Sequence, residues 1–594
     1  MRRSRRRASL LGMSEDSSLT RRQVLARAGG TGLLVAAGPV SVLGSARPAS
    51  AASASADGTP EQIHLTWGAD PATGVTVSWA SPAPAARPRV ILRPGPGGRP
   101  GRIVPATART YTDGLNGETV WTYHAEIAGL AAGGTYSYSV TADNDSSAQP
   151  FASTFATAPR GRAPFRFTSF GDLATPNTQW VLSYGQSAYA VAAVESFQPL
   201  FHLLNGDLCY ANLNPAVQPE VWRDFGNNNQ ASAASRAWMP CLGNHEVEFD
   251  NGPQGFTSYL TRYRLPDNDV PGFRGRWYSF QVGSVLFVSL DADDVIYQDA
   301  AAFVAGPVAL TPAASTGNPP IEPGTSFYIR GYSGGAQTAW LKRTLAAARR
   351  DPSIDWIIVQ MHQIACSSSA TGNGSDLGIR QAWLPLFDRY HVDLVLNGHD
   401  HDYERSFPCR GFDAVAGTEV ATGAPVQTMR PHPVTTKDSG VFDTSQGTVH
   451  LVLGCGGTDA NLDDYGVDTA DGMRQAKVFT KPNRPVATST PGIFTRPAAD
   501  AVEDAPWSAK RDPSTGYGIA VFDVDPGARG GMTSIKVTHY HALGADPVNP
   551  ATGAAGAPTP DYTEFETFTL VRPRSDRSGH GAGVPERVGT RGGG

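Results

Sequence analysis

Five times between Phe165 and His401 a short apolar run breaks off into a residue able to bind a metal or move a proton, and this repetition constrains the fold most. Phe165-Arg166-Phe167-Thr168-Ser169-Phe170 runs into Gly171-Asp172, Leu203-Leu204 into Asn205-Gly206-Asp207, and Trp238-Met239-Pro240-Cys241-Leu242 into Gly243-Asn244-His245. Trp356-Ile357-Ile358-Val359 leads to His362, and Leu394-Val395-Leu396 to Gly398-His399-Asp400-His401. Helical stretches separate these runs, and one of them places Trp340, Leu341, Thr344, Leu345 and Ala348 on a single face for core packing. Apolar strands alternating with helices predict an α/β domain, and ligands in such folds bind beyond the carboxyl ends of the strands. Five strands ending this way imply one shared site.

The region before this domain has a different grammar. Ile63-His64-Leu65-Thr66-Trp67, Val75-Thr76-Val77-Ser78-Trp79 and Thr135-Tyr136-Ser137-Tyr138-Ser139-Val140 are short alternating strands between Gly/Pro turns, which predicts a small β-sandwich over residues 57–160. No reactive groups cluster there, so its expected role is packing or positioning. Pro159 to Pro164 reads as a linker into a domain spanning 161–571. Two folded units suit a chain of 594 residues, more than one hydrophobic core usually supports. The 65 Gly and 46 Pro point to many turns and long loops rather than a helical bundle. Ala301 to Pro323, Val415 to Val441 and most of Asp459 to Pro513 lack periodicity and read as such loops, and residues 572–594, rich in Gly, Arg and Ser, as a disordered tail.

Residues 1–56 read as a targeting segment. Thr20-Arg21-Arg22-Gln23-Val24-Leu25 precedes a weakly apolar run from Gly29 to Leu43, and Ala49-Ser50-Ala51, Ala52-Ser53-Ala54 and Ala54-Ser55-Ala56 each offer a cleavage site. The segment resembles a twin-arginine export signal, which implies export of a folded chain to the cell envelope or beyond. A membrane anchor is the alternative, but the run is short of the ~20 apolar residues that a span needs, and no later segment supplies them. The formal net charge of −5 gives no reason to expect nucleic acid as a partner, and the basic stretch Arg2 to Arg7 lies inside the targeting segment. Five cysteines, at 209, 241, 366, 409 and 455, are too few for a disulfide scaffold and none has zinc-finger spacing. Cys366 and Cys409 each follow a candidate site strand closely, and a bridge between them is expected.

Taken singly, Gly-Asp and Gly-Asn-His are weak motifs; their order and placement give them weight. Two hard or borderline cations at one site need a shared anionic bridge, neutral nitrogen or amide ligands, and open positions for water and substrate. Asp172, Asp207, Tyr210, Asn244, His362, His399 and His401 provide that set. The series Gly171-Asp172-Leu173, Gly206-Asp207-Leu208-Cys209-Tyr210, Gly243-Asn244-His245-Glu246, His362 and Gly398-His399-Asp400-His401 resembles the purple acid phosphatase family, within the calcineurin-like metallophosphoesterases. Tyr278-Ser279-Phe280, Tyr403-Glu404-Arg405 and Thr76-Val77-Ser78-Trp79 agree with that resemblance. Tyr210 is its specific element, because the wider superfamily shares the Asp, Asn and His ligands but lacks the tyrosine.

The resemblance implies a fibronectin type III-like β-sandwich followed by an αββα-layered metallophosphoesterase domain. It also implies an exported acid phosphatase acting on phosphate-ester small molecules, with two metal ions as cofactors. By motif, Asp172, Tyr210 and His401 would join Asp207 on Fe(III), and Asn244, His362 and His399 would join Asp207 on a divalent Zn, Fe or Mn; Asp207 would bridge. Two cations about 3.5–4 Å apart can bind phosphate oxygens, lower the pKa of a bound water and stabilise charge on the attacking and leaving oxygens, so hydrolysis needs no covalent intermediate. His245 resembles the family residue that contacts the phosphate and helps the leaving group depart; a satisfied loop histidine is its alternative. His64, His124, His202, His391, His432, His450, His539 and His541 fit no ligand position and read as core or surface residues. Two departures from the family pattern stand out: Ala174 replaces a glycine, and Gln363 to Ser368 lacks the further histidines that plant members place near the leaving group. A phosphodiesterase or nucleotide hydrolase on the same metal core remains an alternative, as does, from another class, a non-catalytic exported binding protein.

Overall fold

A computed structural model describes residues 57–94, 101–248, 250–298, 329–370, 373–414, 416–460, 466, 473–482, 486–487, 494–495, 500–542 and 562–576. The targeting segment, the expected loop over 301–323 and residues 577–594 of the expected tail lie outside these residues. Among the described residues no helix is long and apolar enough to cross a membrane.

The alternating strands of the first region pair as the pattern predicts. Glu61–Thr66, Val75–Ser81, Thr119–Ile127 and Thr107–Thr112 lie side by side in one sheet, and Arg102–Pro105, Arg89–Leu92, Thr135–Thr141 and Phe151–Ala156 in another. Val77, Trp79, Val90, Tyr123, Tyr138, Val140 and Phe155 are buried in a common core. Each such side chain contributes about 1.5–3 kcal/mol on leaving water. The first sheet does not end with this region: Glu61–Thr66 pairs in parallel with Ala237–Pro240, Leu65 opposite Ala237, so it continues into the sheet of the following domain. The linker residue Arg162 makes a two-pronged ion pair, at 2.8 and 2.9 Å, with the fully buried carboxylate of Asp355, immediately before the strand Trp356–Gln360.

After the linker two sheets lie face to face. One carries, in order, Thr563–Pro573, Met532–His541, Gly518–Asp525, Phe165–Phe170, Phe201–Leu204 and Ala237–Pro240. The other carries Tyr278–Val282, Val285–Ser289, Trp356–Gln360, Leu394–Asn397, Val449–Leu453, Tyr403–Ser406 and Ser508–Arg511. Aromatic side chains fill the gap between them. Phe167 and Phe201 of the first sheet meet Phe287 of the second edge-on at 5.1 and 5.2 Å, and Phe201 meets Phe280 at 5.7 Å. Helices close the outer faces. Ser187–Ser196 and Gln218–Ala233 pack Ala190, Val194, Trp222 and Phe225 into the core of the first sheet, and Ala336–Ala348 sets Trp340, Leu341, Leu345 and Ala348 into a cluster with Ile357, Val359 and Val395 of the second. This is the expected αββα layering.

Several expectations need correction. The stretch read as a loop over Val415 to Val441 holds short strands at Ala416–Glu419, Pro425–Gln427 and Arg430–Pro433, and the later one holds Gln475–Phe479, Asp500–Asp504 and Ser508–Arg511. These strands are only three to five residues long and fall in three different sheets, Arg430–Pro433 pairing with Cys409–Asp413 and Ser508–Arg511 joining the second large sheet, so none is long enough to show a clear period in the sequence. The tail does not begin at 572. The last strand runs to Pro573, Arg572 pairs with the buried Asp393, and the Ser575 amide donates to Asp355 at 2.8 Å, so specific partners hold a composition that reads as disordered. Nor is there a disulfide: all five cysteines are free and buried. Cys409 donates its thiol to the Phe407 carbonyl, and burial pushes the thiols of both Cys366 and Cys409 upward, keeping them protonated.

Candidate metal centre

The strands ending at Phe170, Leu204 and Pro240 are parallel neighbours in one sheet, and those ending at Gln360 and Asn397 are parallel neighbours in the other. Their carboxyl ends converge, so the residues that follow them meet across the seam between the sheets. Tight turns deliver those residues. Asp172, Asp207, Tyr210 and His399 have left-handed backbones, with φ of 56°, 50°, 60° and 75°. Such conformations cost about 1–3 kcal/mol each in non-glycine residues and persist only where the surroundings enforce them. Close approach explains two of the glycines: a Cβ on Gly243 would lie 2.5 Å from the Asp207 amide nitrogen, and one on Gly398 would lie 2.7 Å from the Asn205 carbonyl.

The seven expected ligands and His245 are all buried here, and their contacts fall into two groups. In the first, Tyr210 Oη lies 3.2 Å from both Asp172 Oδ1 and His401 Nε2, and His401 Nε2 lies 3.2 Å from Asp172 Oδ1. In the second, His362 Nε2 lies 3.0 Å from Asp207 Oδ2 and 3.3 Å from His399 Nδ1. His362 Nε2 is also 3.9 Å from Asp172 Oδ1, which joins the groups. Asp207, His362 and His399 each offer a ligand atom within 4.8 Å of the others, as a cation requires. Asn244 sits on the same turn as Gly243, and its Oδ1 is buried with no hydrogen-bond partner among the described residues. A buried amide oxygen left without a donor is costly unless a cation satisfies it, so the donor set fits metal ions.

His245 differs from the ligands. Its amide donates to Asp207 Oδ1 at 2.8 Å, its Nδ1 faces Asn212 Oδ1 at 2.9 Å, and its Nε2 lies 3.9 Å from Asp207 Oδ2. At 9% exposure it is the most accessible of the eight, which suits a group that meets an incoming molecule. Among the described residues the eight other histidines lie elsewhere; His124 and His202, for example, are buried with hydroxyl and carbonyl or carboxylate partners, and burial lowers both.

Electrostatics follow from crowding acids and imidazoles in a dry site. Burial opposes charge on His362, but the carboxylates of Asp207 and Asp172 outweigh it and raise the imidazole to about 10. Burial likewise opposes charge on His401, and Asp459 and Asp172 raise it to about 9. Asp207 is held below the usual carboxylate range, against burial, by His362 and His245. A cation binding here must displace those protons, so affinity should weaken as pH falls.

Sequence reasoning missed the groups behind the ligands. Glu246 accepts the amides of Asp207 and Gly243 on one carboxylate oxygen and that of Leu208 on the other, at 2.8–2.9 Å, clamping two ligand turns together. Burial and the neighbouring Asp207 push this carboxyl up to about 8, against the three amides that favour its ionised form. His362 Nδ1 meets the Asn205 carbonyl at 2.6 Å, His399 Nε2 meets Gln298 Oε1 at 3.1 Å, and His401 Nδ1 meets Asp459 Oδ1 at 2.5 Å. Glu246 was in view as the fourth residue of Gly243-Asn244-His245-Glu246; Gln298 and Asp459 carry no local signal. The stretch that departs from the family after His362 is buried support: Ser367 Oγ lies 2.5 Å from Asp400 Oδ2 and 2.7 Å from Glu404 Oε1, and the Ser368 amide donates to Glu404 at 2.9 Å.

Comparison with known proteins agrees with this geometry. A profile described as the purple acid phosphatase N-terminal domain matches residues 60–157, and a calcineurin-like phosphoesterase profile matches residues 165–403. An uncharacterised protein of Mycobacterium tuberculosis is 41% identical over 526 residues, 86% of this chain and 87% of its own. The Fe(3+)-Zn(2+) purple acid phosphatase 12 of Arabidopsis thaliana is 26% identical over 355 residues, 59% of this chain and 65% of its own. Among solved structures, the purple acid phosphatase PPD1 from yellow lupin superposes with a TM-score of 0.57 at 18% identity, covering 87% of this chain and 75% of that one, a likeness of fold.

Proposed function

Because the chain belongs to the purple acid phosphatase family of calcineurin-like phosphoesterases, we propose that it is an exported acid phosphatase that hydrolyses phosphate monoesters. The observation that carries this reading is Tyr210 Oη at 3.2 Å from both Asp172 and His401, a phenol placed among metal-binding groups. Asp172, Tyr210 and His401 with Asp207 would hold Fe(III), for which a phenolate is a strong oxygen donor, and Asn244, His362 and His399 with Asp207 would hold a divalent Zn, Fe or Mn. When bound, the two ions supply positive charge for the phosphate oxygens and for an attacking water.

The chain's own groups do the rest. Asp207 would serve both positions through one side chain, and the His245 amide fixes the orientation of its carboxylate. Asn212 Oδ1 accepts the His245 proton on Nδ1, leaving Nε2 to hold or deliver a proton at the leaving-group oxygen. Side-by-side turnover of p-nitrophenyl phosphate and bis-p-nitrophenyl phosphate tests the substrate class: the monoester should be the faster, and a preference for the diester would overturn the reading. Export rests on Arg21-Arg22 ahead of the apolar run. Arg21→Lys with Arg22→Lys should hold the folded precursor inside the cell with its activity intact, and undiminished secretion would count against the twin-arginine route.

A further inference from the structure

Three imidazoles of the centre use one ring nitrogen inward and the other outward, and the outward partners differ in charge. Behind His362 stands the Asn205 carbonyl, and behind His399 the amide of Gln298, itself tied through Nε2 to Asn373 Oδ1 at 2.7 Å. Both are neutral. Behind His401 stands the carboxylate of Asp459, 2.5 Å from Nδ1. The His401 side carries Asp172 and Tyr210 at 3.2 Å, whereas the carboxylate in contact with His362 is Asp207, with Asp172 farther off at 3.9 Å.

The position of Asp459 is built. The glycine-rich turn that carries it is pinned to the turn that carries Asp172: the Gly456 amide donates to the Gly171 carbonyl at 2.9 Å and the Thr458 amide to the Asp172 carbonyl at 3.0 Å. Gly457 has φ +152°, and a Cβ there would lie 2.5 Å from Ser187 Cα, so this backbone path requires glycine. Thr458 Oγ1 bonds the Leu182 carbonyl at 3.2 Å and contacts Asp459 Oδ1 at 3.3 Å. The same turns that place Asp172 in the site therefore place Asp459 behind His401.

We propose that Asp459 is a positioning residue of the metal centre: it keeps the His401 proton on Nδ1, aims Nε2 inward, and adds the negative charge that makes this side the one to retain a trivalent ion. A carboxylate behind an imidazole raises its basicity, and hard anionic surroundings favour the higher charge. The inference rests on the two-metal reading above.

The test uses full-length holoenzyme, with iron and divalent metal measured separately after dialysis against a graded series of EDTA, and the visible spectrum recorded at each step. Asp459→Asn keeps an oxygen acceptor for the Nδ1 proton and removes only the charge. It should release ferric iron about 10–100-fold more readily, as loss of the group behind a metal-binding imidazole typically does, with divalent retention unchanged. Gln298→Ala should do the reverse, loosening the divalent ion and sparing the iron. Iron retention in Asp459→Asn equal to wild type, or equal loss of both metals in each variant, overturns the proposal. Should Asp459→Asn fold poorly by circular dichroism, Asp459→Glu provides the second arm: the charge is kept, so iron must stay bound, and its loss would overturn the proposal. Wild-type protein that takes up no iron would defeat the underlying two-metal reading, an outcome distinct from equal retention in wild type and variant.

Discussion

Asp207→Asn isolates the side chain on which both metal positions depend, and the structure dictates how the new amide must turn. The His245 amide donates to Asp207 Oδ1 at 2.8 Å, while Oδ2 faces His362 Nε2 at 3.0 Å. An asparagine must leave its carbonyl oxygen with the His245 donor, because an NH2 group there would oppose another N–H. Its NH2 is then forced to the Oδ2 position, presenting protons where the cations need an anionic oxygen. A four-ligand zinc site has an apparent binding free energy of roughly 10–16 kcal/mol, so one ligand contributes roughly 3 kcal/mol. At about 1.4 kcal/mol per decade the variant should lose about 10²-fold in affinity at each position. Metal content after dialysis against graded chelator, with turnover measured in parallel, reads this directly, and both ions should fall together. An Asp207→Asn protein that keeps two ions and normal turnover would refute both the ligand map and the argument from amide orientation.

Removing the imidazole of His245 by substitution to alanine should leave metal content intact and slow turnover by about 10²-fold or more, the usual effect of losing a positioned proton donor; an unchanged rate constant would make it a structural loop residue. Tyr210→Phe should abolish the visible absorption of iron-loaded protein while turnover falls modestly, and a wild type that is colourless with stoichiometric ferric iron would sink the phenolate assignment. Asp355 offers a pH test of the linker ion pair: burial would raise its carboxyl, but Arg162 and Ser575 outweigh burial and hold it below the ordinary value. Its contribution is therefore present above the unfolded value of about 3.9 and is lost as pH falls through the lower folded one. Asp355→Asn should lower unfolding free energy by roughly 2 kcal/mol at pH 7, and urea titrations should find the gap to wild type closing as pH falls below the ordinary carboxyl value; a gap independent of pH would contradict this.

Much of the site was legible in the sequence because each ligand follows an apolar run that has no other place than a sheet interior. Asp172 after Phe170, Asp207 after Leu204 and His399 after Leu396 are local statements: burial of the run places the next polar residue at a strand end. The residue types then specify the chemistry. The spacing of Gly243 and Gly398 beside ligands is likewise local, since only glycine lets two turns approach within contact.

What the chain alone did not disclose depends on contacts between segments that share no pattern. Asp459 meets His401 across 58 residues, Gln298 meets His399 across 101, and Glu246 reaches back 39 to the Asp207 turn. Single polar residues in loops carry no periodicity, and their partners are set by where other strands end. The same reason explains the short strands near Ala416 and Gln475, the ordering of Arg572 to Asp576 and the free thiols of Cys366 and Cys409. The sequence by itself determined which groups could bind metal and which face of each element is apolar, because burial acts residue by residue. Only the tertiary structure decided which partner stands behind each ligand and that the sandwich shares a sheet with the catalytic domain, because hydrogen bonds and charge pairs depend on distances that close only when distant strands have packed.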